Sequence, residues 1–192
     1  MRIAIEGLDG VGKTAIAKYL ASVLNYEYKR DHLDNMLGID EEHFFKIKDK
    51  IKDYDDVRTL LFMSSLAYVT KEDKNVIYDR FILSEYYYDG TKDTFSWFDN
   101  YCKTEVLPDL TIILYASDQV RRERLQKRNM NDPDLKKMFS SEEMYKKMIY
   151  FANYANLNYV VIDTDNLSIE DVKNIVLNYV YEFINNKKLI KR

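Results

Sequence analysis

Gly7-Leu8-Asp9-Gly10-Val11-Gly12-Lys13-Thr14 is the stretch of this sequence with the sharpest chemical meaning. It fits G-x-x-x-x-G-K-[ST], a pattern whose glycines let successive backbone N–H groups turn inward around phosphate oxygens. A helix beginning where the loop ends adds the positive end of its dipole. Lys13 then reaches the β- and γ-phosphates of a nucleotide, and the Thr14 hydroxyl ligates Mg2+. Three of the chain's five glycines lie in this loop. Gly7, Asp9, Gly10, Val11, Gly12, Lys13 and Thr14 are therefore the expected seat of ATP. No N-K-x-D string accompanies them, which argues against a GTP switch. An ATPase that performs mechanical work usually needs more chain than this.

Such a loop works only between a strand and a helix. Arg2–Glu6 (RIAIE) reads as the strand, and Lys13–Leu24 reads as the helix, apolar at Ile16, Ala17, Leu20, Val23 and Leu24. Further on, Asn75–Asp79, Leu110–Ala116 and Tyr159–Asp163 are compact apolar runs that end in polar residues. Runs of this kind fit strands buried on both faces of a parallel sheet. Tyr26–Arg30 is a weaker strand. Helical spacing covers Glu41–Lys52, Asp56–Thr70, Phe98–Val106, Asp118–Lys127 and Ser140–Ala155. Ser168–Asn185 closes the chain as a helix, with Ser168 and Asp171 in capping-box positions. The β–α alternation predicts an α/β fold, a three-layer α/β/α P-loop NTPase with a parallel sheet flanked by helices. Ligands of such sheets sit at the strands' carboxyl ends, which singles out Glu6, Asp79 and Asp163.

Composition sets the outer bounds. The chain has 192 residues, 29 basic and 32 acidic, for a formal charge of −3. That is one domain of ordinary size. With 46% apolar and 32% charged residues it is no disordered polyelectrolyte. A charge so near zero argues against binding a nucleic-acid polymer. One cysteine rules out a disulfide scaffold or a cysteine-based zinc site. No apolar run reaches the roughly 18 residues needed to cross a bilayer, and the N-terminus turns polar too soon for a signal peptide. The expectation is a soluble, cytoplasmic protein.

The segment Ile5 to Thr14 resembles the opening of thymidylate kinases, where an acidic residue and an aspartate flank the loop in the same way. Asp79-Arg80-Phe81-Ile82-Leu83-Ser84, followed by Tyr88-Asp89-Gly90, is similar to that family's Asp-Arg-Tyr motif with its trailing Ser and Tyr-x-Gly. Pro108-Asp109-Leu110-Thr111, the arginine-rich helix Arg121–Arg128 and the ending Val161-Ile162-Asp163 continue the match in the same order. The resemblance spans nearly the whole chain.

It implies a deoxynucleoside monophosphate kinase that moves the γ-phosphoryl of Mg·ATP to dTMP or a related acceptor. By resemblance Lys13, Arg80, Asp79 and Asp9 are the catalytic group, with Thr14 and Asp79 serving the metal. Arg80 and Arg30 contact the acceptor phosphate; Ser84 trails the motif. Phe62 stacks on the base, Tyr88 crowds the sugar's 2′ position, and Asp9 accepts from its 3′-hydroxyl. Arg128 packs against adenine, where a lid around residues 127–140 begins, and Arg124 accompanies it. The family's lid arginine is replaced by Asn131-Asp132-Pro133-Asp134. Transition-state charge is left to Lys13, Mg2+ and a choice among Arg121, Arg122 and Arg124. The thymine-reading arginine expected four residues after Phe62 is Leu66, and Glu85 stands where some relatives keep an amide near the base. Relatives commonly pair as homodimers through helices, a role open to Asp56–Thr70. Two other readings remain: a deoxynucleoside kinase acting on a 5′-hydroxyl, and a catalytically silent nucleotide-binding module.

Overall fold

The computed structural model describes residues 1–30, 32–72, 74–138 and 140–190. Five strands form one parallel sheet: β1 (Arg2–Glu6), β2 (Glu27–Lys29), β3 (Val76–Asp79), β4 (Leu110–Tyr115) and β5 (Tyr159–Asp163). Their spatial order is β2-β3-β1-β4-β5. β1 is therefore central, with Ile5 in register with Asp79 on one side and with Ile112 on the other. That register sets the end of β1 beside the end of β3, so the phosphate loop and Asp79-Arg80 open at the same sheet edge.

Alternating side chains send each strand's residues to opposite faces. Ala4, Tyr78 and Ile113 belong to one core, packed with Met63 and Leu66 of α4 (Asp55–Glu72), Leu83 and Tyr86 of α5 (Ile82–Asp89), Phe98 of α6 (Phe95–Thr104) and Met148 of α8 (Ser141–Tyr154). Ile3, Ile5, Ile77, Ile112 and Leu114 face the other core, filled by α1 (Lys13–Leu24) and α9 (Ile169–Ile190). α1 buries Ile16, Ala17 and Leu20 there, and α9 buries Val172, Val176 and Val180. These are the helical spacings of an amphipathic face. Three layers result, as the sequence predicts.

Expected strands and helices all form, with ends shifted by a few residues. Ser168 and Asp171 do make a capping box: each backbone N–H donates to the other's side chain, at 3.1 Å in both directions. Two helices near the site were not anticipated, α2 (His32–Leu37) and α5, along with a short 3-10 turn at Pro133–Lys137 inside the expected lid. α3 (Glu41–Lys50) and α7 (Asp118–Arg128) complete the set. Phe139, within the expected lid, lies outside the described residues. Among the described residues no helix is long and apolar enough to cross a membrane.

Candidate active site

Between β1 and α1 the backbone runs through left-handed and extended-positive conformations that side chains resist. Gly7 has φ +135°, and a Cβ there would sit 2.3 Å from the Leu114 carbonyl oxygen. Gly10, at φ +88°, lies close to α7, with the Arg121 carbonyl 3.0 Å from any added Cβ. The loop is thus held between β4 and α7, which fixes its curvature.

Lys13 folds back over this loop. Its Nζ donates to the Leu8 carbonyl at 2.7 Å and stands 3.6 Å from Asp9 Oδ1. Burial and the neighbouring Arg80 charge lower its pKa to about 7, against the pull of Asp9. Asp9 goes the other way. Burial raises its carboxyl, but Lys13 and Arg80 outweigh that and hold it at about 2. Arg80 Nη2 donates to Asp9 Oδ1 at 2.5 Å, while Nη1 reaches the Gly7 carbonyl at 3.2 Å and Ser84 Oγ at 3.3 Å. The Arg80 backbone is itself left-handed, φ +79°, a conformation costing a non-glycine residue about 1–2 kcal/mol. Its guanidinium carbon lies 5.9 Å from the centre of the Tyr88 ring.

Asp79 is 2% exposed and receives two hydroxyls on one oxygen. Thr14 Oγ1 donates to Oδ2 at 2.6 Å and the Tyr28 phenol donates to the same atom at 3.0 Å. A hydroxyl and a carboxylate beside a phosphate loop are hard oxygen donors, the kind Mg2+ takes together with substrate phosphates and water. Among the described residues no group of three or more His, Cys, Asp or Glu could hold a metal by itself. The donor set fits Mg2+ carried in with a nucleotide.

Glu6, the other acidic strand end at this site, is fully buried. Its Oε1 accepts from the Phe81 and Leu83 backbone N–H groups, each at 3.0 Å, and its Oε2 accepts from the Ser84 hydroxyl. Burial pushes its pKa up. Glu6 thus caps the N-terminus of α5, the helix that carries Ser84, Glu85 and Tyr88. Asp163 takes no part here; it is exposed and accepts from Asp165 N.

The wall across from Arg80 comes from α4 and α5. Phe62 is partly exposed and meets Phe44 edge-on, centroids 6.4 Å apart. One turn earlier, Arg58 donates to Asp89 Oδ1 from Nε at 2.9 Å and from Nη2 at 2.5 Å. Burial, then the nearby Asp89 and Glu6 carboxylates, raise the Glu85 pKa to about 8. Leu66, one turn after Phe62 on the same side of α4, is 1% exposed and packs into the core.

Three arginines of α7, Arg121, Arg124 and Arg128, have protein partners. Arg121, 2% exposed, donates from Nε to the Asp9 carbonyl at 2.8 Å and from Nη1 to Ser141 Oγ at 3.0 Å. Arg124 donates to Thr164 Oγ1 at 2.9 Å and to its carbonyl at 2.6 Å. Arg128 pairs with Asp132 and Asp134. Arg30 follows β2 and is exposed at the same sheet edge. Tyr28, Glu6 and Arg58 are the site neighbours that sequence reasoning left without a role. Only Glu6 carried a signal, its position at a strand's carboxyl end.

A phosphate loop and the Arg80–Asp9 pair share one sheet edge of a three-layer α/β fold, the arrangement of a P-loop kinase of the nucleotide and nucleoside class. The thymidylate kinase family model matches residues 5–176, and the chain belongs to that family. It is 30% identical over 208 residues to a probable thymidylate kinase of Thermoplasma volcanium, covering 97% of this chain and 98% of that one. It is 31% identical over 189 residues to a cytidylate kinase of Methanocaldococcus jannaschii, covering 92% and 95%. The fold recurs in deoxyadenosine kinase from M. mycoides with bound dCTP, TM-score 0.62 at 22% identity, covering 95% and 100%. The chain is an ATP-dependent nucleoside monophosphate kinase.

Proposed function

We propose that this enzyme transfers the γ-phosphoryl of Mg·ATP to the 5′-phosphate of a deoxynucleoside monophosphate, dTMP or a close relative. The observation that carries this reading is Arg80, held at the mouth of the phosphate loop by Asp9, Gly7 and Ser84. A planar fork in that place suits an incoming phosphate. One oxygen of the acceptor phosphate forms the new bond to the γ-phosphorus as the bond to the β–γ bridging oxygen breaks, and ADP leaves. The loop N–H groups and Lys13 cradle the donor phosphates. Thr14, and Asp79 through water, would hold Mg2+, which supplies positive charge against the β- and γ-phosphates. Catalysis is positioning and charge stabilisation, with no covalent enzyme intermediate.

Asp9 Oδ1 faces Arg80 and Lys13, which leaves Oδ2 for a 3′-hydroxyl; Tyr88 stands beside the sugar. Phe62 offers the base its ring, and residues 127–140 act as a lid within a single domain. A 5′-hydroxyl acceptor would need a general base. Three carboxylates of the loop and strand ends are committed instead: Glu6 caps a helix, Asp79 takes two hydroxyls and Asp9 pairs with cations. That favours the monophosphate. We also read α4 as the surface by which two copies pair, since Val57, Leu60 and Tyr68 are exposed opposite its buried Met63, Leu66 and Val69. A helix apolar all round is usually covered on both sides. The cytoplasm is the fitting compartment for such an enzyme.

Coupled ADP-release assays with dTMP, dCMP, their ribo counterparts and thymidine test the reading. Turnover is expected with deoxy monophosphates and not with thymidine. Arg80→Ala should raise the acceptor KM while leaving ATP affinity nearly intact. Turnover of thymidine alone would replace the reading with a nucleoside kinase, and tight ATP binding with no acceptor would replace it with a silent module.

A further inference from the structure

The weak second strand delivers a side chain that the phosphate-loop pattern does not include. Tyr28 pairs in register with Ile77, so it shares the sheet face of Ile77 and, two residues on, of Asp79. Two residues of strand rise about 6.6 Å, and the tyrosine ring spans that rise to bring its hydroxyl 3.0 Å from Asp79 Oδ2. The same oxygen already accepts from Thr14 at 2.6 Å. A carboxylate oxygen has about two lone-pair sites, and here both are taken by hydroxyl protons on the one atom. Oδ1 takes neither of these protons. The Lys18 ammonium lies 5.5 Å from the centre of the Tyr28 ring, which holds the ring from its face.

We propose that Tyr28 is a positioning residue for the divalent cation: it locks the Asp79 carboxylate so that Oδ1, and not Oδ2, meets the cation's water shell. This rests on the donor-site reading given above. With the phenol gone, Asp79 keeps only the Thr14 bond and can turn about its terminal torsion, whose energy profile is broad and two-fold. Thr14 would then be asked to hold both the carboxylate and the cation. Loss of outer-shell partners of this kind typically weakens metal binding about 10–100-fold.

The test uses the full chain, wild type and Tyr28→Phe, each saturated with a non-hydrolysable ATP analogue. Mn2+ is titrated in and followed by electron paramagnetic resonance. The variant keeps its ring, so its melting temperature without cation should stay close to that of the wild type. Its Mn2+ dissociation constant should rise about tenfold, with acceptor KM nearly unchanged. Equal Mn2+ affinity in the two folded proteins overturns the inference, and so does a loss of affinity that merely tracks a lowered melting temperature. Absence of Mn2+ binding by the wild-type analogue complex overturns both this inference and the donor-site reading. Wild-type binding with an unchanged variant sinks only the role given to Tyr28.

Discussion

At the scale of single residues, Lys13 is the group whose state changes most between free and loaded enzyme. In the free protein burial and Arg80 hold its pKa at about 7. A nucleotide's phosphates bring compensating negative charge, which favours the ammonium form. Above neutrality, ATP binding should therefore take up a proton. The sign follows from the direction of the shift: the free site has lost its proton where the loaded site keeps it. At about pH 8 the nucleotide's own phosphates, with a second pKa near 6, are already ionised and contribute little. Calorimetry in buffers of different ionisation enthalpy should give a fractional uptake that vanishes in Lys13→Met. Uptake that persists in the variant would mean another group titrates. Neither this nor the contact between Tyr28 and Asp79, 51 residues apart, can be read from spacing. The phosphate loop could be read because its chemistry is local and its residues are consecutive.

At the scale of elements, α5 matters most and was least visible. Its segment, ILSEYYYD, lacks a side-chain cap at Phe81, so no start signal marks it. Its cap is Glu6, 75 residues earlier from Phe81, brought alongside by the pairing of β1 with β3. Strands β3 and β4 were legible because burial on both faces demands unbroken apolar runs; β5, at the sheet's edge, kept such a run although only Ile162 is buried. Glu6→Ala should leave two buried N–H groups without an acceptor, at about 1–3 kcal/mol each. Denaturant unfolding should register about 2–6 kcal/mol of lost stability, and acceptor KM should rise more than ATP KM because α5 carries Ser84, Glu85 and Tyr88. Equal effects on both substrates would locate the damage in β1 instead. α7 teaches the same lesson from the other side. Its arginine run looked like a pool of catalytic cations, yet Arg121 reaches back 112 residues to brace the Asp9 carbonyl and joins Ser141 at the foot of α8.

At the scale of the whole molecule, the sheet order sets the phosphate loop and Asp79-Arg80 at one edge, and one helix serves both inside and outside. α4 ties Arg58 to Asp89 of α5, sets Phe62 against Phe44 beside the proposed acceptor site, and turns Val57, Leu60 and Tyr68 to the surface. If two copies meet there, the wall of each acceptor site is backed by the other subunit. The enzyme's specific activity then becomes a function of its own concentration, through mass action. A dilution series should show activity per chain falling at the concentration where sedimentation shows dimers dissociating, and acceptor KM should rise with it. Leu60→Glu should bring both changes to higher concentration. Assays run at catalytic dilution would then report the weaker, lone subunit, while a cell stocked with the enzyme would hold the competent pair.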